Sequence, residues 1–181
     1  MLVDGKPTRT IWLGDDFETV EIIDQTKLPF EFVVAGLKTL DDAATAIRDM
    51  LVRGAPLIGA TAAYGMALAV KDDVSDAGLE NAYKKLLATR PTAINLRWAL
   101  DDLKTLLGPL PEGERVKAAY ARASEICDED VAMCSSLGEH GRAVIEDIWT
   151  EKGKPDQVNI LTHCNAGWLA TVDWGTALAP V

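Results

Sequence analysis

The sequence predicts an α+β chain that leads into an α/β unit, and three observations carry that reading. Residues 10–36 hold short apolar runs separated by turn residues, the pattern of a small antiparallel sheet. From Leu40 to about Trp149, apolar residues return at helical spacing, the pattern of a helical bundle. Then the apolar run Val158-Asn159-Ile160-Leu161 meets a glycine-containing turn and a second helical pattern, the order of a strand entering a helix. The expected divisions are residues 1–37 for the sheet, 38–152 for the helices and 153–181 for the opening of a parallel α/β domain. A lone strand with half a crossover cannot build a sheet by itself, so the remainder of that domain is expected to be absent from this chain.

In the sheet region, Thr10-Ile11-Trp12-Leu13 precedes a Gly14-Asp15-Asp16 turn, and Val20, Ile22 and Ile23 follow with partial alternation. Phe30, Phe32 and Val34 alternate cleanly, with Pro29 at the start or edge of their strand. Thr39 or Asp41 can cap a first helix carrying Ala43, Ala44, Ile47 and Leu51, which Arg53-Gly54 would end. Pro56 suits the first turn of a second helix, running to about Lys71 and so poor in charge that it must be buried. A third fits Leu79–Ala88. A fourth spans about Ile94–Leu107, with Leu96, Ala99, Leu100, Leu103 and Leu107 on one stripe and Gly108-Pro109 as its stop. Glu112–Trp149 is a long helical stretch that Gly138 and Gly141 are expected to break or bend.

Composition narrows the function. Almost half of the 181 residues are hydrophobic and a quarter charged, as in globular proteins. The net charge of −10 argues against a general nucleic-acid partner, though a pocket with local positive charge can still take a phosphorylated substrate. Three cysteines, an odd number, are no disulfide framework and suit a reducing cytoplasm. The first ten residues lack the apolar core of a signal peptide, and the run Ala55–Val70 falls short of a membrane span. No metal-like spacing and no cofactor motif stands in the sequence. Cys127 and Cys134, seven residues or two helical turns apart, read as core positions on one face of the helix.

Candidate chemistry gathers at three places. Arg53-Gly54-Ala55-Pro56 sets a forked donor and a glycine beside a helix start, whose free amides favour an anion. The bland alternative is a helix–turn–helix with a surface arginine. Gly54 and Gly59-Ala60-Thr61 mimic a phosphate loop but hold no lysine where one is required, so a nucleoside triphosphate site is excluded. Arg90-Pro91-Thr92 places a second guanidinium before the fourth helix; its bland alternative is an N-terminal turn with Thr92 as the cap. Cys164 falls where the expected strand turns into a helix, a position that favours ligand binding and an ionised thiol. It also reads as a small buried hydrophobe. His163, its neighbour on a strand, would point to the opposite face and is no base for it.

Thr162-His163-Cys164-Asn165-Ala166-Gly167, followed by Leu169-Ala170-Thr171 and Gly175-Thr176-Ala177-Leu178, resembles the signature of the methylthioribose-1-phosphate isomerase family of methionine salvage. Arg53-Gly-Ala-Pro-Leu-Ile-Gly59 and Arg90-Pro-Thr-Ala-Ile-Asn-Leu96 agree in order and spacing, and the likeness runs along almost the whole chain. Trp168 and Trp174 stand where smaller or variable residues would be expected. The resemblance implies a small antiparallel β-sheet, a helical bundle, then the first strand and helix of a truncated Rossmann-like domain. It implies an aldose–ketose isomerase that acts without cofactor or metal as a homodimer, on a phosphorylated pentose, with no membrane or nucleic-acid partner. Cys164 matches its catalytic cysteine, and Arg53, Gly54, Ala55 and Arg90 match its phosphate-binding residues. Its general acid, an aspartate, has no counterpart here, so the 181 residues alone are expected to be inactive. Two other functions stay open: a ribose 1,5-bisphosphate isomerase, and a non-catalytic regulatory subunit of the exchange factor for a translation-initiation GTPase.

Overall fold

Short runs at the start of the chain pair into two small antiparallel sheets. The computed structural model describes all residues from Met1 to Val181. Strands β1 (Leu2–Val3) and β2 (Lys6–Pro7) make a two-stranded ribbon. Strands β3 (Ile11–Leu13), β4 (Val20–Ile23) and β5 (Val34–Leu37) form a second sheet in the order β3-β4-β5. Ile11 lies opposite Ile22 and Val20 opposite Leu37, so these four side chains share the buried face. Between β3 and β4, the Asp16 carboxylate accepts from the Glu18 and Thr19 amides and the Thr19 hydroxyl. Those donors, led by the hydroxyl, hold its pKa down to about 2.

The alternation of Phe30 and Phe32 makes no strand. The Phe30 and Glu31 amides both donate to Lys27 O, closing a turn after Pro29, and Phe30 is left 92% exposed. Turn hydrogen bonds therefore win over side-chain alternation, and the strand starts only at Val34.

Five helices follow. α1 (Leu40–Arg48) opens on a capping box in which Thr39 and Asp42 each accept from the other's backbone. It ends at Arg48, with Met50 in the left-handed region, earlier than the Arg53-Gly54 stop expected from sequence. α2 (Ala55–Asp72) carries charge only in its last two residues and is buried from Leu57 to Val70, so it forms the axis against which the other helices pack. α3 (Asp76–Leu87) is capped by Ser75, and α4 (Ile94–Leu107) buries the predicted leucine stripe. One core joins sheet and helices, from Ile11 and Val20 through α2 to Cys127 and Val172. Arg115 is buried where α3, α4 and α5 (Glu112–Glu151) meet, and donates to the Asp76 carboxylate and to the carbonyls of Val74, Gly108 and Leu110.

α5 runs without a break past Gly138 and Gly141. A mid-helix glycine costs only about 1 kcal/mol, and here the missing side chains make room. A Cβ at Gly138 would stand 2.8 Å from Ala179 O, and one at Gly141 2.3 Å from the Pro180 ring.

Residues 152–181 depart most from expectation. Val158–Leu161 is not a strand and no α-helix begins at Ala166; the sole regular element is a 3-10 turn, Trp168–Ala170. A parallel strand needs a neighbour for its amides and carbonyls, and none of the five strands lies beside this stretch. What orders the tail is side-chain and backbone hydrogen bonding to the rest of the molecule. The Thr10 amide donates to Val172 O at 3.0 Å and the Thr10 hydroxyl to Thr171 O at 2.5 Å. Asp130 on α5 accepts from the Val172 amide at 2.8 Å, and the N-terminal amine pairs with Asp173. No helix is long and apolar enough to cross a membrane.

Candidate functional site

The corner between α1 and α2, the entry to α4 and Asn165 of the tail line a cleft of about 470 Å³. Its polar lining is Arg53, Arg90, Thr92, Asn95 and Asn165, and the rest includes Gly54, Ala55 and the apolar Met50, Ile58 and Ile94. Arg53, Gly54, Ala55 and Arg90, all singled out from sequence, thus share one cavity although the two arginines lie 37 positions apart in the chain.

Four features make the cleft electropositive. Neither Arg53 nor Arg90 takes part in any of the chain's ion pairs. No aspartate or glutamate lines the cavity. α2 starts at Gly54 with no side-chain cap, and the Ala55 and Leu57 amides have no backbone partner. α4 starts at Ala93, again with no side-chain cap, because Thr92 does not take that role. Two bare helix starts and two unpaired guanidiniums facing one cavity favour a multiply charged anion, and the planar forks suit phosphate.

Gly54 is fixed by two demands at once. Its φ of 94° lies where a side chain is rarely tolerated. A Cβ there would also stand 2.3 Å from Ala170 O, so the Arg53 loop and the tail touch backbone to backbone. This contact was not visible in the sequence, since 116 positions separate the two residues.

Cys164 is exposed, has a φ of 105° and does not itself line the cleft; Asn165, the next residue, does. The helix start expected beside it is not formed, and the reading as a buried hydrophobe is equally at odds with its exposure. A left-handed backbone at a non-glycine residue costs on the order of 1–3 kcal/mol and tends to cluster at functional positions. Cys127 and Cys134 are buried, and burial pushes their thiols up to about 12 and about 11. Trp168 is half-buried with an indole N–H that finds no acceptor. Asp173, the carboxylate nearest to Cys164 in the downstream sequence, is occupied by the N-terminal amine. No group of three His, Cys, Asp or Glu side chains is placed to hold a metal. Asn165 is a cleft residue that the sequence pattern does not single out, and its place beside Cys164 in the motif is the signal that points to it.

Residues 51–177 match the Initiation factor 2 subunit family. That span takes in the Arg53 loop, the Arg90 turn and the Cys164 stretch. The chain belongs to this family. Within it, the motif resemblance to methylthioribose-1-phosphate isomerases is borne out by curated relatives with that name. The one from Paramagnetospirillum magneticum is 67% identical over 100% of this chain and 49% of its own length. That from Escherichia coli is 58% identical over the same shares. The chain therefore spans about half the length of the curated relatives it matches. Two solved structures share the fold. The crystal structure of 5-methylthioribose 1-phosphate isomerase from Pyrococcus horikoshii is 38% identical with a TM-score of 0.81, covering 96% of this chain and 48% of that one. Translation initiation factor eIF-2B, subunit delta, from A. fulgidus is 35% identical with a TM-score of 0.79, covering 96% and 50%.

Proposed function

We propose that this chain supplies the phosphate-binding part of an isomerase that converts 5-methylthioribose 1-phosphate to 5-methylthioribulose 1-phosphate. The observation that carries the reading is the carboxylate-free cleft, where unpaired Arg53 and Arg90 meet the bare starts of α2 and α4 beside the Asn165-Cys164 turn. The phosphate sits on the two guanidiniums and the free amides, which turns the sugar toward Asn165 and Cys164. Phosphorylation at C1 blocks simple ring opening, so the C1–ring oxygen bond must break with a proton delivered to the oxygen, while hydrogen moves from C2 to C1. C2 becomes a ketone by losing its hydroxyl proton as its hydrogen passes to C1, so C2 is oxidised as C1 is reduced. The proton released matches the one gained by the ring oxygen, and no external oxidant is needed. Cys164 acts at this transfer as base or as transition-state stabiliser.

The proton for the ring oxygen needs an acid, and no carboxylate lines the cleft. The acid, and with it turnover, belongs to a longer protein of the relatives' length, a cytoplasmic homodimer in which residues 153–181 enter a Rossmann-like domain. A second reading, a regulatory subunit that binds a sugar phosphate without isomerising it, draws on the likeness to the eIF-2B delta subunit structure. An assay with 5-methylthioribose 1-phosphate and with ribose 1,5-bisphosphate, run on residues 1–181 and on the longer protein, separates these. The proposal expects turnover of the methylthio sugar by the longer protein alone. Turnover of only the bisphosphate would replace the substrate. Binding without turnover by the longer protein would favour the regulatory reading.

A further inference from the structure

The walls of the cleft come from distant parts of the chain, and one residue outside it is bonded to both. The Gln25 amide donates to Leu51 O at 2.9 Å, two positions before Arg53. Its side-chain Nε2 donates to Leu169 O at 2.6 Å, four positions after Asn165. Gln25 lies just beyond β4, and its neighbour Asp24 is fixed in turn. The Asp24 amide donates to Val33 O at 2.9 Å, and the carboxylate accepts from the Thr26 amide and hydroxyl. So the turn that carries Gln25 is tied to the residue preceding β5, and Gln25 spans the gap between the arginine loop and the tail.

Thr10 and Asp130 tie down Thr171 and Val172 further along the tail, and Gln25 is the side chain that holds it at Leu169, on the side of the cleft. The tail's only regular element is the single 3-10 turn that contains Leu169. Ala170, the last residue of that turn, packs against Gly54, so a shift of Leu169 is passed directly to the Arg53 loop. We infer that Gln25 is a positioning residue for the cleft: its side-chain donor to Leu169 O sets the spacing between Arg53 and the Asn165-Cys164 turn. The inference rests on the sugar-phosphate reading of the cleft for its kinetic consequence. The geometric consequence stands apart from that reading.

The test compares Gln25→Met and Gln25→Glu with the parent in the full-length protein. Methionine keeps the shape without the donor, and glutamate sets a carboxylate against the Leu169 carbonyl. With 5-methylthioribose 1-phosphate, kcat/KM should fall at least about tenfold for methionine and further for glutamate, within the hundredfold that a 1 Å misplacement can cost. A purely structural residue would lower the melting temperature and leave kcat and KM of the folded enzyme alone. Kinetics within about twofold of the parent for both variants would overturn the assignment. If the parent turns over no substrate, the isomerase reading fails and amide exchange judges Gln25 alone. The Ile58, Ala170 and Thr171 amides should then exchange faster in both variants, and unchanged exchange at all three would overturn the inference.

Discussion

Arg53 and Arg90 stand in a chain of net charge −10, yet the cavity they line holds no carboxylate. Replacing either by alanine should weaken binding of the sugar phosphate by about 1.5–3 kcal/mol, the range for a hydrogen bond to a charged group. Lysine should restore only part, lacking the planar fork. Cys164 is the single exposed cysteine, so iodoacetamide at mildly alkaline pH should label it and leave Cys127 and Cys134 intact in the folded chain; labelling of all three at similar rates would contradict the burial pattern. In the longer isomerase proposed above, Cys164→Ala should lower kcat by at least about a hundredfold. Gly54→Ala meets both a φ of 94° and the Ala170 carbonyl. It should destabilise by about 1–3 kcal/mol, measured by denaturant midpoint, and reduce phosphate affinity as well. The arginines were legible in the sequence because each adjoins a helix start. Asn165 and Gln25 were much less so, because their parts are set by contacts that local pattern does not encode, the bond from Gln25 to Leu169 spanning 144 positions.

Among the elements, the helices were the most readable. A charge-poor segment such as Leu57–Val70 has only one stable place, inside. Of the two caps the sequence offered, Thr39 and Asp41, Thr39 is the one that opens α1, with Asp42 completing a capping box in the structure, and Thr39→Ala should cost about 1 kcal/mol. The tail was not readable in the same way. Its apolar run at 158–161 has strand composition, but a strand is made by its neighbours, and here the order of residues 169–173 comes from Thr10, Gln25 and Asp130 instead. Asp130 is half-buried, and burial raises its carboxyl pKa even though the Val172 amide, donating to it, works the other way. A raised folded-state value means that the protonated form is the better tolerated, so this group's contribution falls as pH rises through the folded pKa. Asp130→Asn keeps an acceptor for the Val172 amide without the charge. At pH 7 it should be at least as stable as the parent, whereas Asp130→Ala should lose about 1–3 kcal/mol by leaving the buried amide unpaired. A thermal melt of the two variants decides it, and a large loss in the asparagine variant would show that the charge itself is required.

Taken as one molecule, the helical bundle presents two bare helix starts to a common cavity, and the sheet and tail bring the Asn165-Cys164 turn to its edge. Both arginines should grip one phosphate, and a double-mutant cycle on the affinity for 5-methylthioribose 1-phosphate reads this out, using calorimetric titration of the longer protein and of its Arg53→Ala, Arg90→Ala and doubly substituted forms. Two side chains on the same anion should show a coupling of about 0.5–3 kcal/mol, with the double variant losing less than the sum of the single losses. Losses that add fully, or an affinity untouched by either substitution, would contradict a shared phosphate site.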